Sequence, residues 1–437
     1  MSTFKVQLLS EDFKHALDVL ENTPQSLFVT GRAGTGKSTL LQLFRNTTRK
    51  KTAVLAPTGI AALNVQGQTI HSFFGFPPRV ITPDVSCKKT SNRNMQRLYN
   101  NLQVLVIDEV SMVRADMLDG IDRCLRVNRE NILPFGGVQV ALFGDLFQLP
   151  PVVSRDPVEQ VFFQDYYDTP YFFSAKVFQE TRLRMDMLEL RKVYRQESRH
   201  FLRLLESVRV NEVDADDLQD LNARCAPGFV PDEPGYITLC ARNATADRIN
   251  QLALDALPGT EHTYRARVSG QFDPGLFPAE AELRLRVGAQ VMFVKNDPAE
   301  KQFVNGTIGT VDKLGADNIV VVIQEGAKSQ RITVEALEWE IVRYQADDTG
   351  AIRTETVGAF RQYPLKLAWA ITIHKSQGKT FDRCIIDLGG GAFEHGQLYV
   401  ALSRCRTLEG IVLKQPIRPQ DIITDPRVVE YYQSLFR

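Results

Sequence analysis

The sequence predicts an α/β chain in which two parallel-sheet units follow one another and each carries an insertion. Three observations point to it. A glycine-rich loop, GRAGTGKS, joins an apolar run to a stretch of helical spacing. Short β-branched runs without alternation, TAVLAP, VLVIDE and VQVALFGD, are separated by helical stretches, as in strands buried on both faces of a parallel sheet. Between about residues 284 and 362 the texture changes to short alternating runs with hairpin signals, which reads as a small β-barrel.

In order along the chain, SLFVT is the first strand and STLLQLFRN, after the glycines, the first helix. The three further runs supply more strands of one doubly wound sheet. HSFFGFPPRVITP and the basic, polar CKKTSNRNMQRLYNN interrupt this pattern. The first unit is therefore expected at 1–66 and 101–180, with an inserted subdomain at 67–100. From 181 the stretch RLRMDMLELRKVYRQESRHFLRLLESVR reads as one long helix opening the second unit. That unit covers 181–283, gives way to the barrel at 284–362, and resumes over 363–437 with LKLAWAITIHKSQGKTFDRCIIDLG.

Composition narrows the function. Lys plus Arg and Asp plus Glu are both 52 in 437 residues, so no global positive field marks a nucleic-acid coat protein, and any polyanion site must be local. No apolar run approaches the roughly 18 residues of a membrane span, and no leader or organelle import signal is evident. The chain is expected to be intracellular and without a membrane partner: in a bacterial cytoplasm, or in a nucleus or mitochondrion if eukaryotic. The six cysteines are scattered singly without metal spacing and are expected to be small core residues. His15, His200, His262 and His395 show no metal-like pairing and are expected at the surface.

The glycine loop carries chemistry. Gly31, Gly36, Lys37 and Ser38 fit GxxxxGK[ST], and the span from Gly31 through Ala33, Gly34, Thr35, Gly36, Lys37, Ser38 and Thr39 is expected to hold the phosphates of a nucleotide, ATP if the resemblance given below holds. Glycines let backbone N–H groups turn toward phosphate oxygens, the lysine reaches the β- and γ-phosphates, and the hydroxyl binds Mg2+. VLVIDE ends a strand on Asp108 and Glu109, where open α/β sheets bind ligands. Asp108 is expected on Mg2+, and Glu109 orients or deprotonates the attacking water. Gln148 in GDLFQLPPV is placed to sense the γ-phosphate. These parts alone leave a kinase, a switch and a motor open.

The second half discriminates. HKSQGKTFD, LYVALSRCRTLEG and APTGIAALNVQGQTIHSFFG resemble superfamily 1 helicases, and DMLDGIDRCLRVNRENILPFGGVQVALFGDLFQLPPV resembles the PIF (petite integration frequency) family, whose members move 5′ to 3′ on DNA. The resemblance implies two RecA-like domains facing across ATP, a wedge at 67–100 and an SH3-like barrel at 284–362. It places Arg404 and Arg195 as arginines reaching the γ-phosphate, with a solvated helix arginine as the other reading of Arg195. Gln377 and Gly378 contact the phosphates from the same side.

The same resemblance puts single-stranded DNA on Pro57, Thr58, Gly59, His71 and Ser72 of the first domain and on Thr372, His374, Lys375 and Ser376 of the second. Phe73, Phe74 and Phe76 are either stacking residues or a core cluster; Trp369 and Tyr399 read as packing residues. Family members often carry a glutamine that reads adenine where this chain has Phe13, and Gln7 is the candidate substitute. The implied partners are single-stranded and forked DNA, with G-quadruplexes and RNA–DNA hybrids as further substrates of the family, acted on by a monomer. A nucleotide-switched DNA clamp is the alternative to a motor.

Overall fold

The computed structural model describes residues 10–86, 89–154, 156–180, 183, 185–298, 300, 302–325, 328–347 and 349–435; Gln7 and Cys87 lie outside these. Helix α1 (Glu11–Asn22), capped by Ser10, buries Phe13, Ala16, Val19 and Leu20 against the first sheet. Strand β1 (Ser26–Gly31) leads through the glycine loop into α2 (Lys37–Thr47). The strands β2 (Thr52–Ala56), β3 (Gln68–Thr69), β4 (Val104–Ile107), β5 (Gln139–Phe143) and β6 (Met185–Leu190) complete a six-stranded parallel sheet in the order β3-β2-β4-β5-β1-β6. Residues of β1, β4 and β5 are buried throughout, as unalternating runs require.

Several boundaries differ from expectation. Residues 185–190 belong to the first lobe, because β6 pairs with β1 from Ser26↔Met185 to Gly31↔Leu190; the lobe runs to Leu190, not to 180. MDMLEL is rich in good helix formers, yet a partner strand along its whole length overrides that preference. The helix is only Arg199–Val210, started by the Ser198 hydroxyl, which accepts from Phe201 N. Nor is 67–100 a detached body. It begins as β3, continues as Ile70–Phe74, and ends in helix Arg93–Asn101, with Ile81, Leu98 and Tyr99 buried in the first lobe's core.

The second lobe has a four-stranded parallel sheet in which Ala370–Thr372, β7 (Ile237–Cys240), Cys384–Asp387 and Ile411–Leu413 are neighbours in that order. The inserted β unit is broader than 284–362. Its five-stranded antiparallel sheet includes Leu365–Leu367, and His262–Arg265 pairs with Glu282–Leu285 beside it. From this unit the hairpin Leu337–Ala346/Ile352–Gln362 reaches back to the first lobe. There Tyr344 is buried, its hydroxyl accepting from Val54 N at 3.0 Å and its ring meeting Phe73 edge-on.

His395 is buried rather than at the surface. Its ring bonds Leu146 O in the first lobe at 3.1 Å and accepts from Asp425 N at 2.9 Å, and burial lowers its pKa. Cys124, Cys240, Cys384 and Cys405 are buried and Cys225 partly so. Among the described residues no helix is long and apolar enough to cross a membrane.

Candidate active site

A cleft of about 540 Å³ opens between the lobes, lined from the first by Ala33 through Thr39, Asp108, Glu109 and Gln148, and from the other side by Arg195, Gly378 and Arg404. Its floor follows from backbone conformation. Gly34 and Gly36 have φ of +84° and +90°, left-handed values that glycine adopts without strain. Gly36 caps α2 without a side-chain bond, so the first helical amides remain open to an anion. Lys37 Nζ donates to Gly31 O at 2.6 Å and Arg32 O at 3.0 Å. Burial lowers the Lys37 pKa, against the opposing pull of Asp145, Glu109 and Asp108.

Asp108 and Glu109 directly follow β4, at its carboxyl end as expected. Burial, and for Asp108 the neighbouring Glu109, pushes both carboxyls up. Glu109 sits at φ +51°, a conformation that costs a side chain of order 1–3 kcal/mol and concentrates at functional sites. The donor set suits Mg2+: the Ser38 hydroxyl and a buried carboxylate are hard oxygen ligands, and magnesium usually takes only one or two carboxylates beside waters and phosphates. Ser38 and Asp108 would hold such an ion, which would supply charge neutralisation to a bound triphosphate.

Arg195 and Arg404 come together across from the loop. Arg195 Nη1 donates to Ser403 O at 2.9 Å; Arg404 donates to Val400 O at 2.9 Å and Ser403 Oγ at 2.7 Å. Among the described residues neither forms an ion pair. Burial, then the charge of Arg404, brings the Arg195 pKa down to about 9, and burial lowers Arg404. Two enclosed guanidinium groups facing a phosphate cradle form a receptor for an anion. Arg195 is no solvated helix residue: its loop touches the glycine loop, Tyr194 N donating to Gly34 O at 2.9 Å.

The remaining expected residues divide. Gly31 and Gln377 do not line the cleft, and the Gln377 amide nitrogen is enclosed with no hydrogen-bond partner among the described residues. Phe13 and Tyr194 also line the cleft, their rings beside Gly36. Phe73 is corrected: it is 1% exposed and packs against Phe74, Tyr99 and Tyr344, so the core reading of the phenylalanines holds. Gly59, Thr372 and Ser376 are also buried. Leu276 of the insertion lies over Gly59, and the Ser376 hydroxyl donates to Ile373 O at 2.6 Å. Pro57, Thr58 and His71 are half-buried, Ser72 and Lys375 exposed, and His374 Nε2 lies 2.9 Å from Glu394.

Sequence reasoning missed a buried network. The Tyr399 hydroxyl accepts from Ala33 N at 3.0 Å and donates to Asp145 Oδ2 at 3.2 Å. Gln148 Nε2 bonds the same carboxylate at 3.3 Å, and Arg209 approaches Asp145 Oδ1 at 3.4 Å. Although burial alone would raise Asp145, Arg209 and Lys37 hold it below its ordinary value. Asp145 stands in the quoted GDLFQ stretch, but its partners are distant in sequence.

A family model described as PIF1-like helicase matches residues 9–219, and one described as DNA helicase Pif1, 2B domain, matches residues 276–314. The ATP-dependent DNA helicase Pif1 of Bdellovibrio bacteriovorus is 34% identical over 98% of this chain and 92% of its own length. The chain belongs to the PIF1-like helicase family. The mouse ATP-dependent DNA helicase PIF1 is 36% identical over 94% of the chain, which spans 60% of that relative's length. Among solved structures, Bacteroides sp Pif1 in complex with ADP-AlF4 has 39% identity and a TM-score of 0.89, covering 98% of this chain and 97% of that one. Bacteroides Pif1 bound to single-stranded DNA covers the same shares at 39% identity with a TM-score of 0.69. Two RecA-like lobes with the insertions of a Pif1 helicase are thus the fold.

Proposed function

We propose that the chain is an ATP-driven helicase that tracks 5′ to 3′ along single-stranded DNA and separates duplex at forks, working as a monomer in an intracellular compartment. One observation carries this: a single cleft is lined by the phosphate loop, Asp108 and Glu109 of one lobe and, opposite, by Arg195 and Arg404, which form no ion pair among the described residues. Lys37 holds the triphosphate, and Ser38 and Asp108 would hold a magnesium ion that supplies charge neutralisation there. Glu109 and Gln148 orient the attacking water. The two guanidinium groups stabilise charge spreading over the transferred phosphoryl, an effect that can contribute about 10³ to 10⁵ in rate.

DNA would cross both lobes on Pro57, Thr58, His71 and Ser72, then on His374 and Lys375. These groups suit sugar and phosphate and carry no base code, so unwinding is sequence-tolerant; RNA–DNA hybrids and G-quadruplexes are further substrates that the family resemblance implies. In the present conformation Leu276 and the Tyr344 hairpin close on the first lobe. The insertion must move for DNA to enter, a reading supported by the lower similarity to the DNA-bound Bacteroides protein.

The test is ATP turnover with and without single-stranded DNA, followed by strand displacement on duplexes bearing a 5′ or a 3′ tail. DNA-stimulated turnover and displacement from the 5′ tail are expected. Turnover without displacement of either duplex supports a clamp instead, and displacement from the 3′ tail alone reverses the polarity. Hybrid and G-quadruplex substrates in the same assay test their place in the range.

A further inference from the structure

A second cavity, of about 640 Å³, lies between the first lobe and the hairpin of the inserted β unit. Arg45, Arg49, Lys50 and Lys51 line it from the lobe and Arg353 from the hairpin; among the described residues no acid lines it. It shares no residue with the ATP cleft and lies at the other end of the sheet. Thr52, in its wall, pairs with Val104 at the amino ends of β2 and β4, whereas Asp108 follows the carboxyl end of β4.

The lobe's cations are held by neutral partners. Lys50 Nζ donates to Thr23 O and Gln139 Oε1, both at 2.7 Å. Lys51 Nζ donates to Asn101 Oδ1 at 3.0 Å, and the hairpin turn reaches the same amide: a Cβ on Gly350 would stand 2.6 Å from Asn101 Oδ1. Among the described residues these four cations form no ion pair, and Arg353 pairs with Asp347 at 2.9 Å inside the hairpin. Glu21 is engaged beside the cavity, accepting from Thr48 Oγ1 at 2.7 Å and Arg49 N at 3.1 Å. Burial lowers the Lys50 pKa in spite of Glu21. Helix α2 ends here, at Thr47, but its macrodipole offers only roughly half a negative charge against four unpaired cations.

An anion in this space would take contacts from both sides and tie the hairpin to the lobe. Adjacent phosphates suit the lining best, because guanidinium forks and ammonium groups are the usual receptors for phosphate oxygens. The space also compares with the about 540 Å³ of the cleft at the phosphate loop. We propose that a small anion with two or more adjacent phosphates, an inorganic chain or the phosphates of a nucleotide, binds between Arg49, Lys50 and Lys51 of the first lobe and Arg353 of the hairpin and holds the hairpin down. The site is independent of the helicase reading; its consequence rests on that reading, in which the hairpin releases for DNA to enter. The bound anion then slows DNA loading. A nucleic-acid strand is the poorer occupant, because the cavity exists only while the hairpin rests on the lobe, the state that DNA entry ends.

The experiment is hydrogen exchange at the Val54 amide, which the Tyr344 hydroxyl covers. Tripolyphosphate, ADP or sulfate is added at equal ionic strength to the full chain and to the double variant Arg49→Gln/Arg353→Gln. A ligand that binds only the docked state slows exchange through undocking about tenfold at roughly ten times its dissociation constant. Tripolyphosphate is expected to do so in the wild type and not in the double variant. The same result with ADP assigns the phosphates of a nucleotide; with tripolyphosphate alone it assigns an inorganic chain. Thr354 lines the cavity opposite Tyr344 in the hairpin register, so Thr354→Glu, which places a carboxylate there, should slow exchange without any ligand. No slowing in the wild type, equal slowing in the double variant, or sulfate acting as well as tripolyphosphate overturns the proposal. Oligothymidine slowing exchange through the same two arginines overturns it in favour of a nucleic-acid strand. Association of oligothymidine, timed with and without tripolyphosphate, is expected to slow in the wild type alone. Slower exchange with unchanged association leaves the site standing and overturns the reading that hairpin release admits DNA.

Discussion

At the residue scale the chemistry rests on charges held in excess and out of water. Glu109 is the sharpest case, a carboxylate raised by burial on a left-handed backbone. Glu109→Gln keeps shape and removes the base. It should bind ATP as the wild type does and lose about 10²- to 10⁴-fold in turnover, measured by single-turnover hydrolysis; an unchanged rate removes Glu109 from the reaction. Tyr399 is less obvious. Tyr399→Phe leaves the Ala33 amide buried without a partner, a cost of about 1–3 kcal/mol, placed in the phosphate loop. A lower denaturant midpoint and a raised KM for ATP are expected, and a variant equal to wild type in both would show that the bond from Ala33 does not matter. The glycines, Lys37, Asp108 and Glu109 were legible in sequence because each lies in a short stretch whose local geometry does the positioning. Tyr399 read as packing because its hydroxyl's partners, Ala33 and Asp145, lie 366 and 254 residues away.

At the element scale, the departures from the expected fold come from tertiary contacts that local pattern does not announce. MDMLEL reads as helix until β1 offers it a free edge, and 67–100 reads as an inserted subdomain until its aromatic residues enter the core. The hairpin Leu337–Gln362 is the same kind of case. Its alternation was legible, but not that it spans to β2, which β3 covers only at Leu55 and Ala56. Val54 N–H is therefore left for Tyr344. Tyr344→Phe should accelerate hydrogen exchange at Val54 about tenfold, equivalent to roughly 1.4 kcal/mol. On the proposal that the hairpin releases for DNA to enter, the variant should also bind oligothymidine faster. Exchange and association rates both equal to wild type would mean that the hairpin is held elsewhere.

At the scale of the whole molecule, the lobes are joined through a cleft whose two sides are incomplete alone, and nucleotide should set their separation. A γ-phosphate reached by Arg195 and Arg404 gains two charge-assisted contacts at about 1.5–3 kcal/mol each. Together these make roughly 3–6 kcal/mol, comparable to the about 5.5 kcal/mol that carries a two-state equilibrium from 1:99 to 99:1. ADP lacks that phosphate and loses the preference. The distance can be read between dyes on Ile132→Cys in the first lobe and Val230→Cys in the second, where the native side chains are 90% and 80% exposed. A non-hydrolysable ATP analogue with magnesium should shorten the distance and ADP should restore it. Arg404→Ala should still bind the analogue through Lys37 and the loop amides while closing far less. If the dyes report one separation in the free, analogue-bound and ADP-bound states, the arginines do not couple the phosphate to the lobes, and hydrolysis in this cleft has no means of moving DNA.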